Sequence, residues 1–324
     1  MLKTPGLEGF TSVDHVFSGD QHFGWLNTVI GTEKHAEPYF EALSTLLEET
    51  RGRLSLLGDV WDLTYASNEA IKEEFDLFRP VFELAAKQGK IKVILSDHEP
   101  DMDHNRLAAA IGEEAASWFE IKPQYLFEDN LNPGTVLTHG HLLVRPEVTK
   151  ILKALKPDAV ESLAALERIL TEHPDLQGVL ADIKKTDPTL KRLSQKICAL
   201  DADLAEKLKI KNQHALRHAA EKLLRPAIKQ KGEKVMADSI TEIKRLRPDV
   251  DVVLTAHTHL TANTPDMLNA GSVSSHLGRP GVIVQGVHET GARVTRLLLL
   301  NKKGEFEREG MDRVMGESCC ELIK

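Results

Sequence analysis

The chain has 324 residues, 41% of them hydrophobic, with 41 Lys and Arg against 49 Asp and Glu for a net charge of −8. That length and composition suit one large domain or two with a sizeable core and exclude disorder as the default, and the acidic balance argues against a general polyanion binder. No apolar run approaches the roughly 18 residues of a membrane span, Met1 to Phe10 has no signal-peptide core, and Cys198, Cys319 and Cys320 form neither a disulfide framework nor a Cys-x-x-Cys metal spacing; a cytoplasmic protein is expected.

The first predicted strand, Val13 to Ser18, runs into Gly19-Asp20-Gln21-His22-Phe23-Gly24. Asp20 and His22, two apart on extended backbone, point to one side and suit one metal ion; Gly-Asp is also ordinary turn chemistry. A helical period over Glu37 to Glu49 follows, with Phe40, Leu43, Leu46 and Leu47 on one face. The apolar run Leu54 to Leu57 predicts a buried strand that ends at Gly58-Asp59-Val60-Trp61-Asp62. A second amphipathic helix spans Glu69 to Lys87, with Phe75, Phe78, Phe82 and Leu84 as core and Gly89 as its stop. Ile91 to Leu95 is a third strand and leads into Ser96-Asp97-His98-Glu99. Three successive strands thus each deliver Asp or His at the C-terminal end, where open α/β sheets place ligand chemistry.

Beyond this, Tyr125 to Glu128 and Thr135 to Thr138 predict a hairpin around Asn132-Pro133-Gly134 that ends in His139-Gly140-His141. Val252 to Thr255 is a strand ending in Ala256-His257-Thr258-His259. Asn269 to Ser272 is expected as a turn, and Val282 to Val287 and Arg293 to Leu300 as final strands. Between the two histidine-bearing strands the pattern changes. Residues 151–250 hold no Phe, Trp or Tyr and two glycines, Gly178 and Gly232. Helices are expected near Val160 to Thr171, Pro188 to Leu200, Gln213 to Ile228 and Glu233 to Arg245, the second opened by Asp187-Pro188. Basic residues outnumber acidic ones there by 20 to 15, against 21 to 34 in the rest of the chain. The expected organisation is a core of residues 1–145 and 250–324 interrupted by a helical insertion, 146–249, placed to act as a lid and to attract an anionic substrate. Solvated helix faces are the more ordinary account of most of these lysines. Without aromatic residues the insertion is not a platform for single-stranded nucleic acid.

Collected at strand ends, Asp20, His22, Asp59, Asp97, His139, His257 and His259 give three carboxylates and four imidazoles without a thiolate. Mixed oxygen and nitrogen donors suit Mn, Fe, Zn or Co better than Mg or Ca. Seven ligands exceed what one catalytic ion with an open position needs, and suffice for two if a carboxylate bridges. The ordered set Asp20-x-His22, Gly58-Asp59-x-x-Asp62, Asp97-His98-Glu99, His139 and His257-x-His259 resembles the calcineurin-like metallophosphoesterase superfamily. Its motif string runs Asp-x-His, Gly-Asp-x-x-Asp, Gly-Asn-His-(Asp/Glu), His and Gly-His-x-His.

The resemblance implies a four-layer α/β/β/α sandwich and a metal-dependent phosphohydrolase that cleaves a phosphomonoester or phosphodiester by attack of a metal-bridging hydroxide. It implies two divalent ions, one held by Asp20, His22, Asp59 and His259, the other by Asp59, Asp97, His139 and His257. His98 is implied as the group that stabilises phosphoryl oxygens or protonates the leaving oxygen, with Asp62 orienting it. Gly24 and Asn269 fall near positions that border the substrate. Ser96, Asp97 and Ala256 depart from the string, which has Gly, Asn and Gly there. A third carboxylate at Asp97 predicts tighter cation retention and weaker Lewis acidity. Two other readings stand beside this one. The UDP-2,3-diacylglucosamine-type pyrophosphatases also carry a helical insertion, but have arginine where this chain has His98. A catalytically weak metal-binding scaffold would dock a partner through the insertion.

Overall fold

The computed structural model describes residues 2–24, 33–63, 66–128, 133–178, 232–258, 261–272 and 279–315. In chain order the elements are β1 (Phe10–Ser18), α1 (Glu33–Thr50), β2 (Arg53–Leu56), α2 (Asn68–Ala86), β3 (Ile91–Ile94), α3 (His104–Ile111), α4 (Glu113–Ala116), β4 (Phe119–Lys122), β5 (Phe127–Glu128), β6 (Thr135–Leu137), α5 (Pro146–Ala154), α6 (Leu163–Glu172), β7 (Val252–Thr255), β8 (Thr261–Asn263), β9 (Met267–Ala270), β10 (Gly281–His288), β11 (Arg293–Leu300) and β12 (Phe306–Val314). A further helix covers residues 232–246. The fold is mixed α/β with two sheets. One has the order β12-β11-β10-β1-β2-β3-β4, the other β5-β6-β7-β9-β8.

In the larger sheet, β1 to β4 are parallel, and the helices that connect β1 to β2 and β2 to β3 return the chain across one face. On that face Val16, Leu54, Leu56 and Val93 pack with Phe40 of α1, Phe75 and Phe82 of α2 and Leu107 of α3. The opposite face contributes Phe17, Leu57 and Ile94 to a second cluster with Leu137, Leu254 and Leu268 of the smaller sheet. A third cluster joins Val136, Val253 and Met267 of that sheet to Val148 and Leu152 of α5, Leu166 of α6, and Met236 and Ile240. The helices at both ends of the stretch expected as an insertion therefore share a core with the smaller sheet. The predicted helices at 188–200 and 213–228, Asp187-Pro188 and the three cysteines lie outside the described residues. No helix among the described residues is long and apolar enough to cross a membrane.

Several elements differ from their sequence reading. Helix α2 starts one residue before its predicted bound because Ser67 caps it, its Oγ accepting from the Ala70 N–H at 3.2 Å. Of its four predicted core residues, Phe75 and Phe82 are buried, while Phe78 and Leu84 pack at the edge of the cluster. The predicted turn Asn269 to Ser272 is corrected: Asn269 and Ala270 belong to β9, between β7 and β8, and the chain turns at Gly271, φ +71°. Strand β12 carries no apolar alternation, as suits an edge, where charges discourage pairing with another chain. It is anchored through a buried pair. Arg296 of β11 donates to both carboxylate oxygens of Asp312, at 2.6 and 2.5 Å, and its remaining nitrogen reaches the Gly6 and Glu8 carbonyls. Both side chains are fully buried. Removing one partner leaves the other charge buried and unpaired, so Asp312→Leu is expected to cost about 3–5 kcal/mol. The double variant Asp312→Leu/Arg296→Met is expected to recover most of that loss, both read by urea unfolding.

Candidate metal centre

The site forms where loops from both sheets meet. After β1 and β2 the chain does not separate. Leu57 N–H donates to Ser18 O, Asp20 N–H to Gly58 O, His22 N–H to Asp59 O and Phe23 N–H to Val60 O, at 2.7 to 3.0 Å. The two strand-end loops therefore run side by side and present Asp20, His22 and Asp59 together. In the smaller sheet the loops after β6 and β7 are joined likewise. Ala256 N–H and Thr255 Oγ1 both donate to His139 O, at 3.2 and 2.8 Å. Ser272 Oγ donates to Asp20 O at 2.9 Å and ties the two sheets at this point.

Five described non-glycine residues have positive φ, and four of them are here: Asp20 (54°), His22 (53°), Asp59 (50°) and His257 (66°). The left-handed region costs roughly 1–2 kcal/mol for an ordinary residue, with Asp and His among those that enter it most readily. Strain at four neighbouring positions marks a site whose geometry is held against local preference. Gly58, at φ +88°, is required twice over, because a Cβ there would lie 2.9 Å from the His139 ring. Ser96 and Ala256 are not among the positive-φ positions, which is why side chains are tolerated there.

Three groups of side chains bring one ligand atom each to within 4.8 Å of one another: Asp59, Asp97, His139 and His257; Asp20, His22 and Asp59; and His22, Asp62 and His98. In the first, His139 Nε2 lies 3.2 Å from Asp59 Oδ2, 3.4 Å from Asp97 Oδ1 and 2.9 Å from His257 Nδ1. His257 Nδ1 is 3.6 Å from Asp97 Oδ1. Donor atoms about 2.0–2.1 Å from a common ion stand roughly 3 to 3.4 Å apart, so the spacing fits metal ligation. Asp59 Oδ1 and Asp97 Oδ1 are buried without a hydrogen bond, and so are both ring nitrogens of His141. The other nitrogen of His139, Nδ1, lies 2.9 Å from Leu57 O, which fixes the ring with Nε2 toward the cluster. In the second group His22 Nε2 is 3.5 Å from Asp59 Oδ2. His259, assigned to this group by sequence, lies outside the described residues.

His98 Nδ1 stands 3.1 Å from Asp62 Oδ1 and its Nε2 3.9 Å from Asp59 Oδ2. Its side chain is 24% exposed, and those of Asp97 and His257 26% and 23%, whereas Asp20 and His139 are fully enclosed. The cluster therefore opens to solvent on the His98, Asp97 and His257 side. The remaining two sequence assignments sit elsewhere. Asn269 is buried, donates to Ala256 O and Thr258 Oγ1 at 2.9 Å, and accepts from Gly271 N–H, so it braces the His257 loop. Gly24, at φ +100°, leaves room for Ala66 and Ile71 while its N–H donates to Glu74.

Two side chains without a sequence assignment belong to the neighbourhood. His141 is buried beside His139 and His257, its ring edge-on to Tyr125 at 5.2 Å. The signal was present, since His139-x-His141 repeats the spacing of His257-x-His259. Glu99, fully buried, accepts from the Trp61 N–H and from Ser96 Oγ, joining the β2 and β3 loops.

Charge sharing within the cluster is strong. Burial acts to raise Asp59, but His139 and then His98 hold it well below the ordinary carboxylate range. Burial, opposed by His139 and reinforced by Asp59, pushes Asp20 up to about 6. Burial and the Asp59 charge push Glu99 up to about 8. Burial lowers His141 to about 3 and His257 to about 4. His22, His98 and His139 would also be lowered by burial, yet neighbouring carboxylates hold them above the ordinary imidazole value. Between about pH 6.5 and 8 Glu99 and the three raised histidines outweigh His141 and His257, which are neutral in the folded chain and act the other way at the lower end of the window. The folded chain keeps protons on Glu99 and on the three raised histidines that the unfolded chain has released, so stability falls as pH rises. Chelator-treated protein is expected to lose thermal stability across this window, and divalent ions, which replace protons at the cluster, to restore it. Thermal unfolding at pH 6.5 and 8 with and without metal checks this.

No family model matches the chain. No curated protein matches it. Among solved structures, a dimetal phosphatase from Danio rerio matches with 13% sequence identity over 94% of this chain and 99% of that one, at a TM-score of 0.41, a likeness too distant to assign a family or an activity. What the geometry defines is a mixed α/β protein whose buried Asp and His groups can hold metal ions.

Proposed function

We propose that the chain is a dinuclear-metal phosphohydrolase acting on a phosphomonoester or phosphodiester. One observation carries this reading: Asp59 belongs both to the Asp59, Asp97, His139 and His257 group and to the Asp20, His22 and Asp59 group. A carboxylate common to two ligand sets is what a pair of ions requires. In this reading Asp20, His22, Asp59 and His259 would hold one ion and Asp59, Asp97, His139 and His257 the other, and the three separate cores support an α/β/β/α layering. Mn, Fe, Zn and Co suit the donors. When bound, two such ions supply Lewis acidity toward phosphoryl oxygens and a water acidic enough to deprotonate near neutral pH.

The protein's own groups complete the chemistry. Asp62 receives His98 through Nδ1 and stabilises its charged form. The His98 imidazolium at the exposed edge then stabilises phosphoryl oxygens or gives its proton to the leaving oxygen. The opening past His98 and Asp97 admits an anionic ester, whereas Asp20 and His139 stay out of reach of bulk water.

Asp59→Asn is expected to lower turnover by roughly 1000-fold or more, because it weakens both ion sites. Asp62→Asn acts through His98 and is expected to cost on the order of 10–100-fold. A manganese-reconstituted assay across monoesters, diesters, nucleotides and pyrophosphates reads both and assigns the substrate class; equal, mild losses would contradict the shared role of Asp59. Asp97→Asn removes one negative charge from the cluster. It is expected to raise turnover and loosen metal retention, measured as activity against free-metal concentration.

A further inference from the structure

The inner face of the larger sheet changes character along its strands. At the C-terminal ends it is apolar, with Phe17, Leu57 and Ile94 packed on the smaller sheet. At the N-terminal ends it is basic. His15 of β1 is the register partner of Arg53 on β2, and Ser55 that of Lys92 on β3. Two cavities adjoin there, of about 470 and 220 Å3, and both are lined by His15 and Arg53. The larger is completed by Arg51 and Arg293, the smaller by Lys90 and Lys92.

Two carboxylates also line these cavities, and each has a cation of its own. Asp14 pairs with Arg293 at 3.0 Å and Glu120 with Lys122 at 2.5 Å. Arg51 and Arg53, both exposed, make no ion pair among the described residues. On a chain of net charge −8 this is a local reversal of sign. Arg51 is also the fifth non-glycine residue with positive φ, at 57°, and the one that lies away from the metal cluster. It follows the last residue of α1, and its N–H closes on Leu47 O at 2.9 Å. Glycine is favoured at that position and arginine is disfavoured by the backbone. A cation complements the helix C-terminus there, but glycine would close the helix at less backbone cost.

We infer that the paired cavities around Arg51 and Arg53 bind a small phosphorylated ligand with two linked anionic groups, at the end of the sheet away from the metal cluster. Each arginine offers a planar set of donors suited to a phosphate, and Arg53, common to both cavities, spans the two groups. The larger cavity is of a size that suits a small molecule.

The test uses the full chain after chelation, so that the metal cluster holds no phosphate, with inorganic pyrophosphate titrated by calorimetry. One salt-sensitive site is expected, binding pyrophosphate at least tenfold more tightly than phosphate. Arg51→Gly and Arg53→Gln are each expected to weaken it tenfold or more, and Asp59→Asn to leave it unchanged. Thermal unfolding keeps the result interpretable, since Arg51→Gly relieves the backbone and is expected to be at least as stable as the parent. Absence of binding in chelated protein, equal affinity for phosphate and pyrophosphate, or parental affinity in both arginine variants would overturn the inference. None of these outcomes bears on the hydrolase reading, which depends on Asp59.

Discussion

The structure depends on where the Asp59 carboxylate is held. It sits within reach of His22, His98 and His139, three imidazoles from three different loops. Burying a carboxylate away from water is costly, and the cost is offset only by neighbours that favour the charged form. Those neighbours must arrive from both sheets. The hydrogen-bonded run of the β1 and β2 loops brings His22, and the joined β6 and β7 loops bring His139 and His257. Left-handed backbone at Asp20, His22, Asp59 and His257 aims these side chains inward, and Gly58 clears the path of the His139 ring. Packing between the sheets, through Phe17, Leu57, Leu137 and Leu254, keeps the two halves of the cluster in register.

Divalent metal ions would suit such an arrangement. Burial pushes Asp20 and Glu99 up, with the Asp59 charge adding to it, while His139 and His98 drive Asp59 down. Divalent cations at these positions would relieve the repulsion between carboxylates and fix each histidine as neutral. The centre is therefore poised for cations by its charge as well as by its distances.

Much of this was legible in the sequence because it depends on short-range pattern. Strand-end acids and histidines follow apolar runs, and the runs Leu54 to Leu57 and Val252 to Thr255 fall on β2 and β7 within a residue. Elements set by long-range packing were not. Strand β12 is rich in charged residues and is held by its ladder with β11 and by the buried Arg296–Asp312 pair. Asn269 reads as turn chemistry, but its amide is consumed in bracing the His257 loop from within β9. His141 carried a ligand-like spacing, yet its place against Tyr125 depends on a neighbour 16 residues away. The helices flanking residues 179–231 read as an insertion because they lack aromatic residues. Their Leu, Ile and Val face the smaller sheet all the same.

The central claim is that Asp59 is shared by two ions. It is tested most directly by an anomalous-difference map from manganese-soaked crystals of the intact chain. The account predicts two peaks roughly 3.5–4 Å apart, one on each side of the Asp59 carboxylate, the first beside Asp20 and His22 and the second beside Asp97, His139 and His257. A single peak, or two peaks that do not both contact Asp59, would contradict it.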